Sequence, residues 1–392
     1  MPLPLNPDIA ATDTPPVMEA FRWRAETRFS DDKPLIDVSQ AAPALPPPEP
    51  LRQAMAEAVL TDTGAHLYGP DLGLPALRAE LAARTASIYD GNVTAAQVAI
   101  TAGCNQAFAA TIATLAQAGD EVILPTPWYF NHQMLLTMTG ITPVPLPTGA
   151  NLLPDPGRAA SLITDRTRAL VLVTPNNPCG VEYPAPLMAE IYAVAKARGI
   201  ALIVDETYRD FHAEPGAPHD LLTDPDWPET LIHLYSFSKA YRLTGHRVGA
   251  IVTAESRLAQ VEKYLDSTTI CAPQLGQRAA LWGLRNLSQW LAGERAEILS
   301  RRAAITKALG NLDGWRLKGC GAYFAYAEYP QDQPADQFAR RLLRNTGILA
   351  LPGSMFTPQG DAAGARALRI AFANIDHSGI SQLQERLQNI AP

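Results

Sequence analysis

What this chain has little of narrows its chemistry first. Its 392 residues include four cysteines, Cys104, Cys179, Cys271 and Cys320, far apart and without a C-x-x-C pair. They suit free thiols in a reducing cytoplasm better than a disulfide frame or a zinc site. The seven histidines form no H-E-x-x-H, so no catalytic metal is expected. No apolar run reaches the roughly 18 residues that span a bilayer, and Met1-Pro-Leu-Pro-Leu-Asn-Pro7 has neither the basic nor the apolar stretch of a signal peptide. The net charge is −7 and no block of Lys and Arg stands out. Neither nucleic acid nor an anionic membrane is an expected partner. No G-x-G-x-x-G opens a helix, which removes a dinucleotide site.

What is present is an ordinary globular composition, 47% apolar and 18% charged, long enough for two units. From about residue 96 short apolar runs recur: Gln97–Ile100, Glu121–Leu124, Ala169–Val173, Ala201–Val204, Leu231–Leu234 and Ala250–Val252. Helical patterns separate most of them, as where Leu187, Ile191, Val194 and Ala195 share a face. Continuous apolar strands alternating with helices predict an α/β fold with a mostly parallel sheet buried on both faces. Ligands of such sheets bind beyond the carboxyl ends of the strands.

Residues 1–30 show no clear periodicity and read as an arm or entry helix. Leu35–Val38 reads as a short strand, and the Pro-rich 41–50 as extended chain, because each proline restricts its predecessor. After Pro273 a long helical stretch runs to about Leu309, followed by strands at Tyr323–Ala327 and Ala367–Phe372 and helices over 335–346 and the C-terminus. This mixture predicts a smaller α+β unit that recruits the first strand. The expected boundaries are an arm at 1–30, the smaller unit at 31–60 and 286–392, and a large unit at 61–285.

Each predicted strand exit carries a residue of distinctive chemistry. Lys239, in Ser236-Phe-Ser-Lys239, follows a core strand, where a lysine is either paired or desolvated; a desolvated amine is a nucleophile toward carbonyls. Asp205 ends another strand, a costly place for a carboxylate without a cationic partner, and Tyr208 follows three residues later. Gly103-Cys104-Asn105 opens a helix whose free N–H groups suit a phosphate. Tyr129 could stack on a ring, Asn177 could donate to an oxyanion, and Ser236 and Arg247 flank the lysine as phosphate partners. Arg369, between Leu368 and Ile370, points to the face opposite both and suits a forked grip on a carboxylate.

Taken together and in this order, Tyr68-Gly69, Gly103-Cys104-Asn105, Tyr129, Asn177-Pro178-x-Gly180, Asp205-x-x-Tyr208, Ser236-x-Ser-Lys239, Arg247 and Arg369 resemble the fold-type-I enzymes of pyridoxal 5′-phosphate (PLP) in the aminotransferase class I/II family. The resemblance runs over roughly 35–390. It implies a seven-stranded large unit, PLP as cofactor, and amino-group transfer between an L-amino acid and a 2-oxo acid. Lys239 would form the internal aldimine, Asp205 would pair with the ring nitrogen, Tyr208 and Asn177 would hold the phenolate oxygen, and Tyr129 would stack on the ring. Ser236, Arg247 and the Gly103–Asn105 turn would take the phosphate, and Arg369 the substrate carboxylate. Ala41, Tyr323 and Phe324 would line the pocket. Tyr68 would reach the phosphate of a neighbouring subunit, which implies a homodimer. Cys179, Cys104-Asn105 and Tyr129 stand where the family more often has Thr, a small residue with Lys, and Trp or Phe.

Ser236-x-x-Lys239 also has the spacing of serine β-lactamases, but the S-D-N and K-T-G elements of those enzymes are absent. The second reading is a PLP lyase or synthase performing β- or γ-elimination on the same scaffold. A dicarboxylate substrate would need a further cation, from a partner subunit or from Arg22, Arg24 or Arg242, none of which the sequence places at the pocket; the sequence leans to a neutral or aromatic donor.

Overall fold

A computed structural model describes residues 3–31 and 33–390; the first two residues of the arm, Asp32, and the last two of the smaller unit lie outside them. The strands in chain order are β1 (Ile36–Asp37), β2 (Val98–Thr101), β3 (Glu121–Thr126), β4 (Thr142–Pro147), β5 (Thr167–Val173), β6 (Ala201–Asp205), β7 (Leu231–Ser236), β8 (Gly249–Val252), β9 (Arg316–Gly321), β10 (Phe324–Glu328), β11 (Ile348–Leu349), β12 (Leu351–Pro352) and β13 (Ala367–Ile370).

Seven of them form one sheet in the order β2-β8-β7-β6-β5-β3-β4. The ladders β4–β3, β3–β5, β5–β6 and β6–β7 are parallel, and only β8 runs against its neighbours. Every residue of β2, β3, β6, β7 and β8 is buried. Helices cover both faces, so the strands read as apolar throughout rather than alternating.

β4 is the strand of this sheet that the sequence reading lacks. Its Thr-Pro-Val-Pro-Leu-Pro hides the signal, yet the prolines fall where an edge strand tolerates them. Thr142 donates to the Asp120 carbonyl and Thr148 to that of Thr126. The even positions thus face β3, and Pro143, Pro145 and Pro147 face the open edge, where they remove N–H groups that would otherwise invite another strand.

The smaller sheet is antiparallel, in the order β12-β13-β10-β9, and β1 pairs in parallel with β11, Ile36 opposite Ile348. The first strand is therefore recruited to the C-terminal part of the chain, as predicted. The helices Ala335–Thr346 and His377–Gln388 bury Phe338, Leu342, Ile380, Leu383 and Leu387 in the same core. The long helical stretch after Pro273 is two helices, Gln274–Asn286 and Ser288–Gly310, broken at Leu287.

One segment differs from the sequence reading. The Pro-rich run is not extended to Pro50, because a helix starts at Glu49 with Pro50 in its first turn, where a missing N–H costs nothing. That helix packs Leu51 and Met55 into the core of the large sheet. The arm contains a helix, Pro16–Ala25, that buries Pro16, Ala20 and Trp23. Between the two sheets, Gly180 and Gly321 come face to face. A Cβ on Gly180, whose φ is +72°, would stand 2.4 Å from the Gly321 nitrogen and 2.5 Å from the Phe324 oxygen.

Candidate active site

Because β3, β5, β6 and β7 are parallel, their exits open on one side, and a cavity of about 450 Å³ lies there. Cys104, Asn105, Tyr129, Asn177, Asp205, Tyr208, Ser236, Lys239, Arg247, Arg369 and Ala41 all line it. Gly103 stands directly behind. It caps the helix Cys104–Ala113 at φ +88°, and a Cβ there would lie 2.4 Å from Nη2 of Arg247. Only glycine lets the guanidinium approach the helix start so closely, and the two together concentrate N–H donors at one end of the cavity.

Lys239 sits in the single turn Phe237–Ala240, which Ser236 caps by accepting from the Ser238 N–H at 3.2 Å. Its Nζ donates to the Ala41 carbonyl. Burial, reinforced by the positive charges of Arg369 and Arg247, brings the amine down to about 7. At neutral pH a large fraction is therefore unprotonated and nucleophilic.

Asp205 is buried at the end of β6. Its Oδ1 accepts from the Thr207 N–H at 3.0 Å and from Oγ1 at 2.7 Å, and Oδ2 lies 3.3 Å from Nε2 of His132. Burial alone would push this carboxyl up, but His132 and the two Thr207 donors outweigh it, and the net shift is downward. A carboxylate held ionised at the floor of a cavity suits a cationic N–H above it. His132 is itself held by stacking on Phe108 at 3.9 Å and by the edge of Tyr129 at 5.0 Å.

Arg369 is buried between Phe324 and Phe356, whose centroids lie 5.1 and 4.9 Å from its Cζ. Nη1 donates to Oδ1 of Asn177 at 3.0 Å and Nη2 to the Ser39 carbonyl, while Nε has no partner among the described residues. Burial lowers the guanidinium to about 10, still charged at neutral pH. An anchored and incompletely satisfied arginine in a cavity is suited to an anion.

Some expectations are corrected. Tyr323 and Phe324 stand behind the lining rather than in it, Tyr323 with its ring 6.0 Å from Lys239 Nζ and Phe324 against Arg369 and Tyr208. Cys179 is buried with Leu152, Tyr326 and Ala367, away from the cavity. Tyr68, expected at the phosphate of a neighbouring subunit, is not among these corrections; it is 80% exposed and outside the cavity of its own chain.

Sequence reasoning missed three features. Pro15, Val17, Met18 and Phe21 form one wall; their helix is apolar on two sides, so it shows no single stripe. His132 behind Asp205 has no sequence signal at all. Glu206, facing away from Asp205, is fully buried. Its Oε2 accepts from the Tyr89 hydroxyl and lies 2.7 Å from Nε2 of His233 and 3.6 Å from Nε2 of His219. Burial opposes its charge, yet His219 and His233 hold the carboxyl well below its ordinary range.

The family model described as "Aminotransferase class I and II" matches residues 33–387. The chain is 32% identical over 340 residues to "Aromatic aminotransferase ISS1" of Arabidopsis thaliana, covering 82% of this chain and 81% of that protein. It is 30% identical over 368 residues to "Arginine--pyruvate transaminase AruH" of Pseudomonas aeruginosa, covering 91% and 92%. Among solved structures, the aspartate aminotransferase of Thermus thermophilus with maleate superposes with a TM-score of 0.88 at 24% identity, over 99% of this chain and all of that one.

Proposed function

Since the chain belongs to the aminotransferase class I and II family, we propose that its cavity moves an amino group between an L-amino acid and a 2-oxo acid through Lys239. The protein is a transaminase that uses pyridoxal 5′-phosphate. The observation that carries the residue roles is the convergence of a buried lysine amine brought down to about 7, a buried carboxylate held ionised and a buried, partly unsatisfied arginine on one cavity.

The donor set fits the cofactor. Arg247, the Ser236 hydroxyl and the N–H groups of Cys104 and Asn105 offer a cradle for its phosphate, and Gly103 leaves room for the guanidinium. Tyr129 would lie against the ring, with Asn131 Nδ2 donating to its hydroxyl at 2.9 Å to fix its tilt. Tyr208 and Asn177 would hold the ring's oxygen. Bound there, PLP supplies a carbonyl carbon open to amines and a conjugated ring that accepts an electron pair from the substrate's α-carbon.

This chain's residues perform the remaining tasks. Asp205, held ionised by Thr207 and His132, would pair with the ring nitrogen and favour its protonated form. Lys239 would hold the cofactor's carbonyl carbon, and its Nζ, with a basicity close to neutrality, is suited to take the α-proton of a bound amino acid and to give a proton back. Arg369 grips the α-carboxylate and thereby sets which bond at the α-carbon stands perpendicular to the ring.

Tyr68, exposed on its own chain, would complete the phosphate site of a second copy, so the working unit is a homodimer with shared active sites. A cytoplasmic location accords with four free cysteines. No helix among the described residues is long and apolar enough to cross a membrane.

The test is to supply the purified protein with amino acids and a 2-oxo acid and to measure both products. Transfer yields equal amounts of a new amino acid and a new 2-oxo acid without ammonia, and Lys239→Ala abolishes it. Release of ammonia in place of a second amino acid, or near-normal turnover by Lys239→Ala, would refute the assignment.

A further inference from the structure

Resting on the transaminase reading above, we infer that the donor carries a large apolar side chain, aromatic in preference, seated against Val17, Met18 and Phe21, and that dicarboxylic amino acids are poor substrates. Three cationic side chains line the cavity, Lys239, Arg247 and Arg369, and each already has a task. A carboxylate on the substrate's side chain would find no fourth cation in the lining that the described residues of one chain supply, and leaving water unpaired is costly for a charge. The arginines that the sequence offers for that role are engaged elsewhere. Arg22 pairs with Glu19 at 3.4 Å, Arg24 lies 3.8 Å from Asp37, and Arg242 is forked on Glu294 and stacks over Trp290 at 5.3 Å.

What the cavity offers instead is an apolar wall with a fixed back. The helix Pro16–Ala25 buries Ala20 and Trp23 in the core of the smaller unit. Trp23 is pinned further by donating Nε1 to Glu19 at 2.7 Å and by Arg340 stacked 4.5 Å from its ring. The opposite side presents Val17, Met18 and Phe21 to the cavity, with Met18 51% exposed. An anchored apolar face is a surface against which an apolar group can leave water. The pairing of a thioether with a phenyl ring favours an aromatic occupant.

The experiment has two arms, both on the cofactor-loaded enzyme. Calorimetry compares two unreactive acids, 3-phenylpropanoate and succinate, and steady-state kinetics compares L-phenylalanine, L-aspartate and L-alanine as donors. The expected result is that 3-phenylpropanoate binds at least tenfold more tightly than succinate and that phenylalanine exceeds aspartate in kcat/KM by a larger margin. Met18→Ala and Phe21→Ala, each checked for an unchanged melting profile, should lower the phenylalanine-to-alanine ratio of kcat/KM by roughly tenfold, the scale of lost apolar contact in a pocket. Tighter binding of succinate, or faster turnover of aspartate than of phenylalanine, overturns the inference and leaves the transaminase reading intact. Failure of every amino acid to give up its amino group overturns both.

Discussion

At the scale of single residues, the chemistry rests on how burial changes basicity. Lys239 is lowered to about 7 mainly by desolvation, so its neutral fraction rises as the pH climbs through that value. The rate at which cofactor-free protein captures PLP should accordingly increase between pH 6 and 8 and then level off; stopped-flow absorbance checks this, and a midpoint near the ordinary lysine value of about 10.4 would contradict it. Asp205→Asn keeps the shape and removes the charge, and turnover should fall roughly 10²-fold or more while PLP remains bound. Arg369→Lys keeps the charge and loses the fork, so kcat/KM should drop about ten- to a hundredfold, the weight of a charged hydrogen bond, expressed mainly in KM.

The residues behind these predictions were readable because each is an anomaly where apolar side chains are the rule: a carboxylate at a strand end, a lysine just past one and an arginine inside a strand. His132 and Glu206 were not. Their positions follow from packing between distant segments, and no local spacing marks them.

At the scale of elements, the parallel sheet was legible wherever both of its faces are covered, because such strands are apolar without interruption. β4 escaped since its prolines, placed on the open edge, mimic a loop. β9 escaped because Arg316, Lys318 and two glycines interrupt its pattern. The helix Glu49–Thr61 was obscured by prolines that serve as its first turn. The Asn177–Gly180 loop is where the two sheets touch, and its glycine is the part that a side chain cannot replace. Gly180→Ala must strain a left-handed backbone and displace the chain at Gly321 and Phe324, costing roughly 1–3 kcal/mol. A melting temperature lowered by several degrees, measured by calorimetry, is the expected outcome; an unchanged one would mean that the interface yields freely.

At the scale of the whole molecule, stability depends on pH through the cluster around Glu206. Its carboxyl is held low in the folded state, so its contribution is complete above the free value of about 4.3 and is lost as the pH falls through the lowered one. Burial keeps His233 neutral, and the pairing with Glu206 offsets this only in part. Its contribution is complete above about 6.5 and declines as the pH falls toward its depressed value. Both effects have the same sign. The melting temperature should decline from pH 7 to pH 5, and His233→Gln should flatten that slope. A slope unaltered by the substitution would assign the acid sensitivity to other groups.

The dimer is testable on the same scale: sedimentation should give twice the chain mass, and Tyr68→Phe should weaken PLP binding without unfolding the protein.

The central claim is that one amine, that of Lys239, carries the cofactor. Borohydride reduction of the PLP-loaded protein, followed by proteolysis and peptide mass analysis, tests it most directly. The account predicts the cofactor's mass fixed on the peptide that contains Lys239 and on no other lysine peptide. A modification elsewhere, or none after reduction, would contradict it.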